Sequence, residues 1–141
     1  MEKWSDGVRA KVVGGLHHVA LEVRDLDGAI RFYTEVLGLE LRHTWMRGDS
    51  RRSMLEIGGG SFFEIFEASP EDERGVGRFV HLAFTCEDIE AAIERVRTAG
   101  CEITVEPGPV TVVATPPIYA RNAFFKGPDG ELIELFSWDS A

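Results

Sequence analysis

The sequence predicts an α+β fold built from two tandem βαβββ modules, and three observations carry that reading. The first is internal repetition. Laid over residues 79–103 at an offset of 63, the segment 16–41 brings His18 onto His81, Ala20 onto Ala83, Asp25 onto Asp88, Ala29 onto Ala92 and Ile30 onto Ile93. One deletion later Gly38 meets Gly100. The second is a change of period. In each copy an alternating apolar/polar stretch gives way to apolar residues three and four apart, which is a strand followed by a helix. The third is punctuation, because each helical stretch opens after an aspartate and closes on a glycine.

The elements follow in order. The first strand alternates Val19, Leu21 and Val23 against Leu16, His18 and Ala20. Asp25 or Asp27 is the N-cap candidate of a helix whose face is Leu26, Ile30, Tyr33 and Leu37, with Gly38 behind it. Strands are expected at about 39–47, 52–57 and 61–67, the last two joined through Gly58, Gly59 and Gly60. The second copy opens on a strand carrying Val80, Leu82, Phe84 and Cys86 on one face. Its helix starts after Asp88 and shows Ile89, Ala92, Ile93 and Val96. Strands follow at about 101–105, 118–126 and 131–137, the last pair joined by the turn Gly127, Pro128, Asp129, Gly130. The modules span about 15–68 and 78–138, forming one domain over 15–138, with a linker over 69–77 and an N-terminal extension over 1–14.

Composition narrows the function. Of 141 residues, 24 are acidic and 15 basic, for a net charge of −9. That argues against nucleic acid, which calls for a basic excess, and against a charge-held membrane surface. No apolar run approaches the ~20 residues of a membrane span, and residues 1–14 lack the apolar core of a signal peptide. Two cysteines, Cys86 and Cys101, make no disulfide framework, so a cytoplasmic protein is expected.

Successive side chains on a strand face opposite ways. His18 and His81 therefore point away from the apolar faces that carry the helices, into the concave side. In the last strand of each half a carboxylate takes the same position. Glu64 shares a face with Phe62 and Phe66, and Glu134 with Leu132 and Phe136. A carboxylate between large apolar neighbours is costly to desolvate unless it is paired or binds a metal. One His and one Glu from each copy make His18, Glu64, His81 and Glu134 the ligands of one shared divalent ion. Mixed nitrogen and oxygen ligation suits Ni, Zn, Co, Mn or Fe. His17 alternates to the opposite face and His43 has no counterpart, so neither joins the set.

These motifs carry a resemblance. His18-Val19-Ala20-Leu21, Arg31-Phe32-Tyr33 with Leu37-Gly38-Leu39, His81-Leu82-Ala83-Phe84, and the Gly-Pro-Asp-Gly turn with Ile133-Glu134-Leu135 resemble the vicinal oxygen chelate superfamily. That group holds glyoxalase I, bleomycin-resistance proteins, methylmalonyl-CoA epimerase and extradiol dioxygenases. The resemblance implies that each module folds into half of an open, cup-shaped mixed β barrel with helices outside and the metal within. Bacterial glyoxalase I (lactoylglutathione lyase) is the member it looks most like. Two departures weigh against glutathione. Glu22 aligns where glutathione-using relatives carry an Arg, and Ala68 where they carry an Asn.

The expected activity is a glyoxalase-type lyase or isomerase acting on a small α-oxygenated carbonyl substrate through a metal-stabilised enediolate. Glu134 or Glu64 doubles as ligand and base. The alternatives are an extradiol-type dioxygenase or epimerase on the same scaffold, or a metal-independent drug-binding resistance protein. Substrate-binding candidates are Trp45, Arg47, Tyr119, Arg121 and Asn122. Arg47, Arg51 and Arg52 form the one local basic cluster, set against the plainer reading of a solvated hairpin. Residues 107–117 are either a lid or a plain connection. A homodimer acting on a small molecule is expected.

Overall fold

The computed structural model describes residues 11–69, 71 and 77–138. Most of the expected N-terminal extension and of the linker lies outside those residues. The fold class is as expected, a mixed sheet curled into a cup with its helices against the outer side. β1 (Leu16–Val23) leads to α1 (Leu26–Arg31), which continues as a π-helical turn over Phe32–Val36. β2 (Glu40–Arg47), β3 (Ser50–Gly58) and β4 (Ser61–Glu67) follow. Then come β5 (Arg78–Thr85), α2 (Ile89–Thr98), β6 (Ile103–Val112), β7 (Ala114–Thr115), β8 (Ile118–Lys126) and β9 (Leu132–Trp138).

The strand order is β6-β8-β9-β5-β1-β4-β3-β2-β7. β1 and β5 lie antiparallel at the centre. Each has a parallel partner on its outer side, β4 beside β1 and β9 beside β5. The sheet curls until its two edges meet. After β6 and the single residue Val113, β7 pairs with β2 at the far edge, Thr44 opposite Thr115 and Trp45 opposite Ala114. This corrects the expected strand over 101–105 and the connection or lid after it. β6 runs on to Val112 and zips against β8. Register shifts between Ile103 and Gly108 absorb Pro107, which an edge strand tolerates because its outer side needs no donor.

The helices sit where the apolar faces place them. Ile89, Ala92 and Ile93 of α2 pack with Cys86, Ala123 and Leu135, and Val12 and Val13 close over this core. Leu26 of α1 packs on Leu55 and Ile65, with Ile30, Tyr33 and Leu39 beside them. Each fully buried Leu or Ile here contributes roughly 1.5–3 kcal/mol. Asp25, not Asp27, caps α1, its Oδ1 accepting from the Gly28 N–H at 3.0 Å. Asp88 Oδ1 does the same for α2 from the Ala91 N–H at 3.1 Å. The expected helix face fails at one residue. The Leu37 N–H reaches back to the Phe32 carbonyl, five residues away. That wider turn swings Leu37 out to 57% exposure, and Leu39 takes its place against the core.

Candidate metal centre

Two alanines make room for the centre. Ala20 on β1 is flanked by Glu64 on β4 and His81 on β5. Ala83 on β5 is flanked by His18 on β1 and Glu134 on β9. Both alanines are fully buried, and their short side chains let the longer neighbours lean together over them. All four expected ligand residues of one chain thus meet at the middle of the cup. His18 Nε2 lies 3.0 Å from Glu134 Oε1 and 3.6 Å from Glu64 Oε1. His81 Nε2 lies 3.2 Å and 3.4 Å from the same two atoms. The two Nε2 atoms are 3.0 Å apart.

These separations suit a cation. Ligand bonds of about 2.1 Å put neighbouring donors about 3.0 Å apart at a right angle and about 3.4 Å apart at the tetrahedral angle. His18, His81 and Glu134 offer one donor atom each, all within 4.8 Å of one another, and Glu64 stands outside that group. Its Oε1 contacts both imidazoles. Two imidazoles and two carboxylates make a donor set that a divalent ion would render neutral.

The charges inside the cup act strongly on one another. Burial disfavours an imidazolium at His81, but hydrogen bonds to Glu134 and Glu64 outweigh it and raise the group to about 9. Burial likewise disfavours the Glu134 carboxylate, yet hydrogen bonds from His18 and His81 hold it down at about 2. In chemical terms, the two carboxylates demand a positive charge on the imidazole side, which a proton or a metal ion can supply.

Two neighbours brace this group. The Asn122 side-chain amide on β8 donates to Glu134 Oε2 at 3.0 Å. Behind His18 stands His17, with the two Nδ1 atoms 2.7 Å apart. The sequence placed His17 on the opposite face. A register shift between Leu16 and His18 makes it the extra residue of a bulge, so both histidines turn inward. His17 is 1% exposed and packs its ring against Phe62, Phe136 and Trp138. Burial, then the His18 ring, push its pKa down to about 3 against the pull of Glu134, so it is neutral. No pattern in the sequence announces that bulge.

A cavity of about 450 Å³ opens over the cluster. Trp45, Arg47 and Asn122 line it, as does Arg52. Tyr119 and Arg121 are not among the residues that line it. They alternate with Asn122 along β8; Tyr119 is exposed and Arg121 pairs with Glu90. Arg51 also departs from the expected basic cluster, being held by Asp27 at 3.1 Å and Glu67 at 3.0 Å. Cys86 packs under α2, away from the cluster, and both cysteines are free thiols.

Comparison with known proteins adds the wider setting. Residues 15–135 match the model of the Glyoxalase/Bleomycin resistance protein/Dioxygenase superfamily. The chain is 34% identical over 128 residues to a probable lactoylglutathione lyase from Vibrio parahaemolyticus serotype O3:K6, covering 86% of this chain and 89% of that one. It is 34% identical over 144 residues to a 2-epi-5-epi-valiolone epimerase of an Actinomyces species, covering 86% and 78%. Among solved structures it is similar to methylmalonyl-CoA epimerase from Mycobacterium tuberculosis, with a TM-score of 0.76, 28% identity and coverage of 96% and 95%.

Proposed function

The chain belongs to the Glyoxalase/Bleomycin resistance protein/Dioxygenase superfamily, and on that premise we propose that it is a divalent-metal-dependent enzyme of the glyoxalase type. It is a lyase or isomerase acting on a small α-oxygenated carbonyl substrate. His18, Glu64, His81 and Glu134 are its metal ligands, for one ion of Ni, Zn, Co, Mn or Fe. The observation that carries this reading is the convergence of two imidazole nitrogens and the Glu134 oxygen, 3.0–3.2 Å apart, with a Glu64 oxygen 3.4 and 3.6 Å from the same two nitrogens. A bound ion there would act as a Lewis acid on two adjacent substrate oxygens and stabilise the charge left when the neighbouring C–H ionises.

The chain's own residues divide the remaining work. Glu134 is the fixed ligand, because Asn122 holds its second oxygen and both histidines hold the first. Glu64 is the base. Among the described residues it is held through Oε1 alone, by the two longer carboxylate contacts. A loosely held carboxylate beside the reacting carbon can take the proton and return it to the same or the adjacent atom. Phe66, Phe124 and Phe136 line the cavity and keep water from that step.

An epimerase is the second reading. Glu22 is paired to Arg78 at 3.3 Å. On the family resemblance, it and Ala68 stand where glutathione-using relatives carry an Arg and an Asn, which is what favours a substrate other than a glutathione adduct. Elemental analysis is expected to find about one ion per chain, with chelation lowering the melting temperature. Glu64→Gln is expected to keep the ion and slow α-proton exchange into deuterium oxide roughly 10²–10⁴-fold. The substrates to offer are the methylglyoxal–glutathione adduct and methylmalonyl-CoA. Glu134→Gln is expected to lose the ion. A protein that purifies without metal and shows no thermal shift with Ni, Zn, Co or Mn would overturn the reading. Oxygen uptake with a catechol would assign a dioxygenase instead, working on the trio His18, His81 and Glu134. The working form is taken to be a cytoplasmic homodimer, for which sedimentation gives the oligomeric state.

A further inference from the structure

One wall of the cavity is positively charged, and nothing in the proposed ligand set uses that charge. Arg47 on β2 and Arg52 on β3 both line the cavity. The Arg52 guanidinium lies over the Phe66 ring, its carbon 3.8 Å from the ring centre. Among the described residues it makes one hydrogen bond, a long one from Nε to Ser50 Oγ at 3.4 Å. In the β3–β4 register Arg52 is opposite Phe66 and Met54 is opposite Glu64. Arg52 therefore stands one inward-facing step from the metal cluster, about 7 Å along the strand.

Arg42, Arg51, Arg78, Arg97 and Arg121 each meet a carboxylate. Among the described residues no carboxylate forms an ion pair with Arg47 or Arg52. Among the same residues the exposed Arg24 and Arg31 also form no ion pair, so what sets Arg47 and Arg52 apart is their place on the wall of this cavity. In a chain with 24 acidic and 15 basic side chains, free carboxylates are abundant, yet the two guanidiniums on the cavity wall are without one. Glu64 and Glu22 attract the Arg52 charge without touching it and Arg47 repels it, so a divalent ion balancing Glu64 and Glu134 would leave this wall more positive still. A guanidinium held over an aromatic ring keeps N–H groups free for other partners, and its planar fork can take an oxyanion through two parallel N–H bonds.

We infer that Arg52 and Arg47 form an oxyanion subsite, so that the substrate carries a carboxylate or phosphate group a few bonds from its chelating oxygens. This rests on the metal reading above and names the substrate class for it. Arg52 makes the directed contact. Arg47, more exposed, adds charge at the rim.

Three metal chelators test it on the nickel-loaded protein by titration calorimetry: neutral acetohydroxamate, the monohydroxamate of succinate, and phosphonoacetohydroxamate. All three offer the same pair of oxygens to the ion. One of the two anionic probes is expected to bind about tenfold or more tightly than acetohydroxamate. Which of them does so separates a carboxylate from a phosphate. Arg52→Met is expected to abolish that advantage, Arg52→Lys to restore part of it, and Arg47→Met to reduce it less. Nickel content and melting temperature report whether each variant is folded. Equal affinities for all three probes, with acetohydroxamate still bound, overturn the subsite and leave the metal reading standing. A protein that takes up neither nickel nor any hydroxamate overturns the metal reading, and the subsite with it.

Discussion

In the first half of the cup the histidine is backed and the carboxylate is loose. His18 has the His17 ring at 2.7 Å behind it, while Glu64 touches the cluster through one oxygen at 3.4 and 3.6 Å. In the second half the arrangement is reversed. Glu134 is held at both oxygens, with Asn122 on the far one, and His81 has no second imidazole behind it. Residues that match in sequence thus sit in unlike surroundings. On the proposed reading, ligand identity follows from strand position, whereas the division into fixed ligand and mobile base follows from what stands behind each residue.

Removing a brace is the strongest way to break that contrast. Asn122→Leu keeps the side-chain bulk and frees Glu134 Oε2, so the two carboxylates become alike. Metal affinity is expected to fall roughly 10–100-fold, read by competition with a chromophoric chelator. An unchanged affinity would remove the ground for calling Glu64 the mobile partner. His17→Phe is the milder counterpart in the first half. The ring remains among Phe62, Phe136 and Trp138; the nitrogen facing His18 is lost, together with the buried Nε2, which has no hydrogen-bond partner among the described residues. The expected loss is about tenfold, the low end for a group behind a ligand, because packing still orients His18. Full retention would make the difference between the two histidines one of packing alone.

The pH response sharpens the comparison further. In chelator-treated protein the imidazolium at His81 is favoured in the fold, with its pKa raised from 6.5 to about 9. That contribution to stability is present in full below 6.5 and is lost as pH rises through about 9. Glu134 has its pKa lowered from 4.5 to about 2, so its contribution is present above 4.5 and lost as pH falls through about 2. The chelated protein is therefore expected to melt highest between pH 4.5 and 6.5 and to weaken toward 9. The metal-loaded protein is expected to lose the alkaline decline, because the ion replaces the proton. Parallel melting curves with and without metal would count against a shared place for proton and ion.

Alternation alone locates much of this site. It turns His18, His81, Glu64 and Glu134 to one side, because residues two apart on a strand share a face. The same rule separates Asn122, which lines the cavity, from Tyr119 and Arg121 on the other face of β8. His17 lay beyond that rule, since a bulge inserts a residue without leaving a mark in composition. Pro107, Gly108 and Pro109 read as a connection because prolines break central strands. At an edge they do not, and so the strand that closes the cup went unseen. Leu37 failed for a similar reason, a single π-helical turn having shifted the face. The division between Glu64 and Glu134 needed Asn122 from a distant part of the chain, a contact no local pattern encodes.

The smallest expected effect compares the two helices that cover the halves. Asp25 and Asp88 make the same capping bond, at 3.0 and 3.1 Å, and differ in what that bond secures. α2 has ten residues, with Ile89, Ala92 and Ile93 buried. α1 has six, with Leu26 alone buried, and runs directly into the π-helical turn. Fraying the start of α2 would expose three core residues, while fraying α1 would loosen one. Asp88→Ala is expected to cost about 1 kcal/mol, a fall of roughly 3 °C in melting temperature for a chain of this size. Asp25→Ala is expected to cost less, and neither change is expected to alter metal affinity, since both caps lie on the outer side of the sheet. Equal losses would mean that α1 is fastened by its packing on Leu55 and Ile65 as firmly as α2 is by its own core. The contrast between the halves would then be confined to the metal centre.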